Sequence, residues 1–367
     1  MGAPLVTVLI IGGTGAQGKP VVKGAYITLL IGKALTDVIS LELSADGRYK
    51  VTVLTRSAQS EPAQELASLP NVVTREGETF DEKSLIKAFK GMDATFVNTN
   101  GFAIGEKAEV YWGIRIYEIA YQAGVKHFIW ASLDYSSKLA HFDPDFHCGH
   151  LDAKGKVADY LTSQPTDHMA WSILLSAPYA DTLSQLLRPR PDPDDPTLMV
   201  FSVPLGDTAM PLIDLGDLGK YGKWMFDHVD RSNGMTLKIS TEHIRWADLA
   251  KDYTAITGRR AVYRDVTLDE YFASGAFPDP EMKVGHSVTH DDPTLQTYRE
   301  NFSAFWRLWK SGLDERDYKI MDEILPERIR SIKDWMIKTG YTGEPGSVLK
   351  DYTDRERKQK PSWPLLG

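Results

Sequence analysis

His150 and Lys154 stand four residues apart, a spacing that brings both side chains to one face of a helix. An imidazole titrates near neutral pH, so beside an ammonium group it could hand a proton to a substrate oxygen. It could equally be a half-exposed ring packing over a bound cofactor. A second constellation, Gly12-x-x-Gly15-x-x-Gly18, directly follows an apolar β-branched run and opens a helix-like stretch. Glycine at the first place allows a tight turn, at the second lets the backbone approach a pyrophosphate, and at the third permits close helix–strand packing. The helix N-terminus then offers free N–H groups to phosphate oxygens. At the end of the next strand, Val53-Leu-Thr-Arg56-Ser57 carries no carboxylate to bind a ribose 2′-hydroxyl. Arg56 and Ser57 suit a 2′-phosphate instead, so the cofactor expected is NADP(H). His147-Cys148-Gly149-His150, with Asp145 nearby, has metal-ligand residue types, but no second cluster completes a four-ligand set, and no metal is expected.

The elements that must hold these residues follow from the apolar periodicity. Val6–Ile11, Lys50–Leu54, Asn71–Thr74, Ala94–Asn98, His127–Ala131 and Trp171–Leu175 read as short strands buried on both faces. Between them lie helices with proper ends: Asp81 caps a segment that stops at Gly91, and Glu106 to Ala123 forms a longer one closed by Gly124. This alternation predicts an α/β fold, a Rossmann-type doubly wound parallel sheet, with a smaller C-terminal α+β region for substrate or partner. The expected division is 1–185 for the Rossmann domain with 208–230 returning to it, 186–207 and 231–353 for the C-terminal region, and 354–367 as a tail. Four prolines across 188–196 predict an irregular loop over a cleft. Phe302, Phe305, Trp306 and Trp309 recur at helical spacing, as a core stripe would.

The formal charge of −8 argues against direct nucleic-acid binding, and Lys33, Asp37 and Glu42 interrupt the most apolar stretch, so no membrane span is expected. One cysteine, Cys148, permits no internal disulfide. A cytoplasmic location is expected, with a nuclear one also suggested by the partly basic 354–360 segment.

The Gly12–Gly18 turn, Leu54-Thr-Arg56, Gly77-Glu-Thr-Phe-Asp81, Gly124-Val-Lys-His-Phe-Ile-Trp-Ala-Ser132 and His150-Leu-Asp-Ala-Lys154 together resemble the NmrA-like family, atypical members of the short-chain dehydrogenase/reductase superfamily. The likeness extends more weakly to about Phe272. It implies that Gly12, Thr14, Gly15, Ala16, Gln17 and Gly18 line the pyrophosphate and Arg56 with Ser57 the 2′-phosphate. Glu78 and Thr79 would flank the adenine, with Glu78 where relatives usually show Asp. Thr99, Asn100 and Ser132 would line the nicotinamide side, Pro178 and Tyr179 would close over that ring, and Lys154 would bond its ribose. Active relatives in the superfamily use Tyr-x-x-x-Lys; here His150 takes the tyrosine position, as in the NADP-sensing branch. The resemblance therefore implies a cofactor-sensing regulator acting through a transcription factor or other protein partner. The alternative is an NADPH-dependent reductase of a small aromatic or carbonyl substrate, like the isoflavone reductases, with His150 and Lys154 catalytic. Tyr135 and Tyr179 are further candidate hydroxyls.

One segment does not fit. A ribose-reading residue lies about 20 positions past the last glycine, whereas Arg56 lies much further from Gly18. The surplus is placed at 24–40, read as a lineage-specific insertion or a translated intron, with a genuine helical extension as the alternative.

Overall fold

The computed structural model describes residues 5–12, 35–277 and 279–346. Seven strands form one parallel sheet: β1 (Val6–Ile11), β2 (Tyr49–Thr55), β3 (Val72–Glu76), β4 (Ala94–Val97), β5 (His127–Ser132), β6 (Ala170–Ser176) and β7 (Met235–Ile239). Their spatial order is β7-β6-β5-β4-β1-β2-β3. The order reverses between β1 and β4, the switch point beyond whose strand carboxyl ends open α/β sheets place their ligand crevice. The register keeps those ends level: Ile11 lies opposite Val97, Val97 opposite Trp130, and Thr55 opposite Glu76.

Helices cover both faces because the strands are apolar on both. On one side α3 (Glu82–Phe89), α4 (Gly101–Gln122) and α5 (Gly149–Thr162) pack Leu85, Trp112, Ile116 and Val157 onto Leu9, Ile11 and Phe128. Asp81 caps α3 by accepting from the Ser84 N–H at 2.8 Å. The long helix begins at Gly101, five residues before the expected Glu106, and is broken at Gly105. On the other side α1 (Leu35–Asp46) and α6 (Leu215–Asp227) pack Val38, Ile39, Leu43, Leu218 and Tyr221 onto Val8, Ile10 and Val53. The two helices approach so closely that a Cβ on Gly222 would lie 2.0 Å from Ile39 Cδ1.

That packing corrects part of the insertion reading. Residues 35–40 of the supposed surplus form the first turns of α1, and Val38 and Ile39 are core residues. The rest, 24–34, lies outside the described residues, as do Thr14, Gly15, Ala16, Gln17 and Gly18 of the glycine turn.

The domain division is also corrected. β7 falls within the 231–353 stretch assigned to the C-terminal region, yet it pairs with β6 as the sheet's edge strand. Met321 and Ile324 of α8 (Tyr318–Ile324) also join the Rossmann core. Arg190–Pro191, expected to be irregular, pairs antiparallel with Met199–Val200; proline is tolerated there because the strand is an edge. The second core holds Trp246, Trp335 and the α7 (Tyr298–Ser311) residues Phe302, Phe305, Trp306 and Trp309. A buried bidentate pair joins the two regions: Arg316 donates to both oxygens of Asp134, just beyond β5, at 3.1 and 2.6 Å.

Candidate functional site

The crevice has an outer half, at β1–β3, and an inner half, at β4–β6. In the outer half Gly12 follows β1 with φ of 152°, a backbone that L side chains rarely adopt. Arg56 follows β2, exposed and with no side-chain partner among the described residues. The carbonyl of Ser57 accepts from the Ser60 hydroxyl at 2.9 Å, which closes the turn. Glu78 is exposed beyond β3, its N–H held by the Ser84 hydroxyl at 2.8 Å, and Thr79 beside it is half-buried.

The inner half is a buried network. The Lys154 ammonium donates to Thr99 O at 2.9 Å and Asn98 Oδ1 at 3.1 Å, and pairs with Glu109 Oε1 at 3.2 Å. The Thr99 hydroxyl donates to the same Glu109 oxygen at 2.6 Å. Lys154 also lies 5.0 Å over the Trp130 ring. The helix carrying it is pinned to β5, because Trp130 Nε1 and the Ser132 hydroxyl both donate to Lys154 O, at 3.1 and 3.2 Å. Asn100 precedes α4 and gives it no side-chain cap. Pro178 and Tyr179 are fixed by exchange with Ile213: Ile213 N–H bonds Pro178 O, and Ala180 N–H bonds Ile213 O. Burial, then Asp181, pushes the Tyr179 hydroxyl up to about 12. Burial, then Asp214, pushes Asp181 up to about 7.

His150 lies one turn before Lys154 in different surroundings. Its ring packs in a triangle with Phe102 (4.7 Å between centroids, tilted) and Phe302 (5.5 Å, stacked), which lie 6.0 Å from each other, and is only 8% exposed. Asn301 Oδ1 lies 3.0 Å from its Nδ1, 3.4 Å from its backbone nitrogen and 3.4 Å from Cys148 Sγ. The backbone N–H can only donate, so Oδ1 is the acceptor of the cluster and Nδ1 carries the imidazole hydrogen. Burial pushes the His150 pKa down to about 4, outweighing the Asn301 bond that raises it. At neutral pH the ring is therefore uncharged, with its one N–H committed to Asn301.

The segment 284–296 crosses the mouth of this region. Gly285 N–H bonds Phe102 O, Ser287 N–H bonds Ala103 O, and Gln296 Oε1 accepts from Gly149 N–H at 2.8 Å. The space left between His150, Asn301, Gly101 and Leu295 is a cavity of ≈ 10 Å³, room for about one water. Tyr135 is not part of it. Its ring lies on Gly155 and lines a separate cavity of ≈ 260 Å³, with Leu139, Ile173 and Lys238.

Among the described residues His147 groups not with Cys148, His150 and Asp145 but with Glu106 and Asp152. Donor atoms of Glu106, His147 and Asp152 lie within 4.8 Å of one another. However, His147 Nε2 bonds one Glu106 oxygen at 2.7 Å, Lys156 takes the other, and Ser137 engages both Asp152 oxygens. The Glu106 bond raises the His147 pKa above its ordinary value.

The structure brings the expected Lys154, Ser132 and Thr99 together, and beside them stand Glu109, Phe102, Gln296 and Asn301, which reading the sequence did not single out. Asn301 carried a signal, as an amide within the aromatic stripe of α7. Glu109 carried none, since acids are common on helix surfaces.

A family model described as the NmrA-like family matches residues 5–291, and the chain belongs to that family. An NmrA-like family domain-containing protein of Dictyostelium discoideum is 24% identical over 269 residues, 72% of this chain and 82% of the relative. An NmrA-like family domain-containing oxidoreductase of Aspergillus hancockii is 26% identical over 246 residues, 64% of this chain and 72% of the relative. Among solved structures, NmrA, a negative transcriptional regulator in complex with NADP, superposes with a TM-score of 0.64 at 17% identity, covering 89% of this chain and 93% of that one. The NADPH-dependent quinone oxidoreductase of Escherichia coli, complexed with NADPH, gives 0.64 at 14% identity, covering 91% and 100%. At such identities the structures establish the shared fold.

Proposed function

We propose, from membership of the NmrA-like family, that the crevice binds NADP(H) and that the protein reports cofactor state to a partner instead of acting as a Tyr-Lys type reductase. The residues present suit that cofactor. Gly12 leaves backbone exposed at the switch point, and Arg56 offers an uncommitted guanidinium where a 2′-phosphate would lie. Thr99, Ser132 and Lys154 present polar groups at the inner end. Bound NADPH would supply a hydride. A carbonyl acceptor then needs a proton as the hydride arrives, which typically contributes about 10²–10⁴-fold in rate.

The observation that carries the sensor reading is the state of His150. It is neutral, packed against Phe102 and stacked on Phe302, and its Nδ1–H is held by Asn301. It is a poor donor in the place where reductases of the superfamily keep a tyrosine. A transcription factor is the partner class, carried from the negative transcriptional regulator of like fold. Purified protein should bind NADPH yet oxidise it negligibly with carbonyl or enone substrates. Robust turnover that is abolished in His150→Ala would sink the reading and make His150 the proton donor.

A second reading, reduction of a small aromatic acceptor, is favoured by the relatives named oxidoreductases and by the likeness to a quinone oxidoreductase. A quinone can take hydride and collect its proton from water, so it needs no donor at position 150. NADPH oxidation with a quinone but not with a carbonyl, unchanged in His150→Phe, would select this reading.

A further inference from the structure

Lys154 is 7% exposed and Glu109 fully buried, and the two side chains meet at 3.2 Å inside the protein. Neither charge is stable there alone, because removing one partner of a buried pair leaves an uncompensated charge. The surroundings reserve room for the carboxylate. A Cβ on Gly101 would lie 2.1 Å from Glu109 Oε2, so only glycine at the start of α4 admits that oxygen. Oε1 is shared between Lys154 and the Thr99 hydroxyl, while Oε2 is buried without a partner among the described residues.

No other charge among the described residues competes for the ammonium. From β4, Asn98 and Thr99 contribute neutral oxygens; from β5, Trp130 contributes its ring face. From α5 itself His150 is neutral, and Glu106, one turn earlier on α4 than Glu109, is committed to His147 and Lys156.

We propose that Glu109 is the counter-ion of Lys154, a positioning residue that keeps the ammonium charged and fixed at the end of β4, where it meets the cofactor's ribose. The cofactor half of this statement rests on the NADP(H) reading above. The Lys154 ammonium donates to Asn98 Oδ1, Thr99 O and the Thr99 hydroxyl, with Glu109 Oε1 in ion-pair contact at 3.2 Å; a ribose hydroxyl would take the place of one neutral acceptor while the carboxylate keeps the charge. Glu109 touches no substrate in this scheme and acts only through Lys154.

Two measurements test it. In cofactor-free protein, thermal melts of wild type, Glu109→Gln, Lys154→Met and the double variant form a cycle. Each single variant should melt lower, and the double should recover at least half of the summed loss, since it leaves no lone charge. Additive losses would overturn the ion pair. In the second measurement, NADPH is titrated by fluorescence from pH 7 to 9.5. Wild-type affinity should stay nearly flat, whereas in Glu109→Gln the buried ammonium loses its proton as pH rises and the dissociation constant should climb about tenfold. A structural role alone would weaken binding equally at every pH, and parallel profiles would overturn the positioning role. If wild type binds no NADPH at all, the cofactor reading fails, and the melt cycle still decides whether the ion pair exists.

Discussion

The two halves of the crevice are held by different physics. In the outer half the candidate ligands, Arg56, Ser57 and Glu78, stand at or near the surface, over a helix packed mainly by apolar contact, with one ion pair at its end from Asp46 to Lys223. In the inner half Lys154, Thr99 and Ser132 are buried and bonded to one another through Glu109, Trp130 and Asn98. A surface ligand can change without disturbing the fold beneath it. A buried one is part of the fold, so substitutions in the inner half should cost stability and those in the outer half affinity.

The largest expected effect concerns the helix under the outer half. Ile39 is fully buried against Gly222, so Ile39→Asp places an unpaired carboxylate in the core and should cost about 4 kcal/mol. Yet the sequence carries two candidates for that slot. Val21-Val22-Lys23 and Val38-Ile39-Ser40 lie seventeen residues apart, so deleting 24–40 brings Val21 and Val22 into the places of Val38 and Ile39. The apolar swaps alone should shift stability by less than about 1.5 kcal/mol, but Lys23 then falls in the place of the fully buried Ser40, so the deletion matches wild type only if that ammonium reaches water along its stem. Chemical denaturation checks both; a deletion variant as unstable as Ile39→Asp would show that the two segments are not equivalent.

Next comes acid stability in the inner half. His150 has its pKa depressed to about 4, against an unfolded value near 6.5. Between those limits the unfolded chain takes up a proton that the folded ring refuses, so stability falls as pH drops. The full loss from this one group is about 3 kcal/mol. His127, fully enclosed and likewise at about 4, adds a parallel loss. His150→Phe, which keeps the stacking, should flatten the limb between pH 6.5 and 4 by its own share, read from urea midpoints at each pH. An unchanged limb would mean that His150 is not held neutral.

Smaller again is Asn301→Leu. It strips the acceptor from the His150 Nδ1–H at an almost inaccessible position, while the Cys148 thiol keeps the Asn301 backbone oxygen, and should cost about 2 kcal/mol. A loss well under 1 kcal/mol would show that water replaces the amide.

The same contrast explains what the sequence disclosed. β1, β2, β4, β5 and β6 were legible because burial leaves near-continuous apolar runs, and β3, though an edge strand that exposes Val73 and Glu76, was legible from its β-branched Val72-Val73-Thr74. β7 was not: as an edge strand it exposes Thr236 and half-exposes Lys238, and reads as mixed structure. Lys154 was legible through its spacing from His150. Glu109 becomes special only when α4 packs against α5 and encloses it, and sequence spacing does not encode that. The neutrality of His150 depends on Phe102, Asn301 and Phe302, which are remote in the chain and meet only in the folded state. The surplus at 24–40 was visible as a break in spacing, but its last six residues proved helical, because either apolar pair satisfies the same pattern.

The smallest effect on stability should accompany the sharpest effect on cofactor choice. Arg56 is exposed and has no side-chain partner among the described residues, so Arg56→Asp should change stability by no more than about 0.5 kcal/mol. If its guanidinium meets the 2′-phosphate, charge-assisted bonds there contribute about 1.5–3 kcal/mol, and removing them should weaken NADP binding roughly ten- to a hundredfold. The introduced carboxylate repels the phosphate dianion as well, yet it can accept from the free 2′-hydroxyl of NAD, so NAD affinity should hold or improve. Because the contact faces water, wild-type affinity for NADP should fall with added salt more steeply than affinity for NAD, and the variant should lose that difference. Calorimetric titration of both dinucleotides at two salt concentrations gives all four comparisons. Equal weakening of NAD and NADP in Arg56→Asp, or equal affinity for both in the wild type, would remove Arg56 from the site and break the contrast between an adaptable outer half and a fixed inner one.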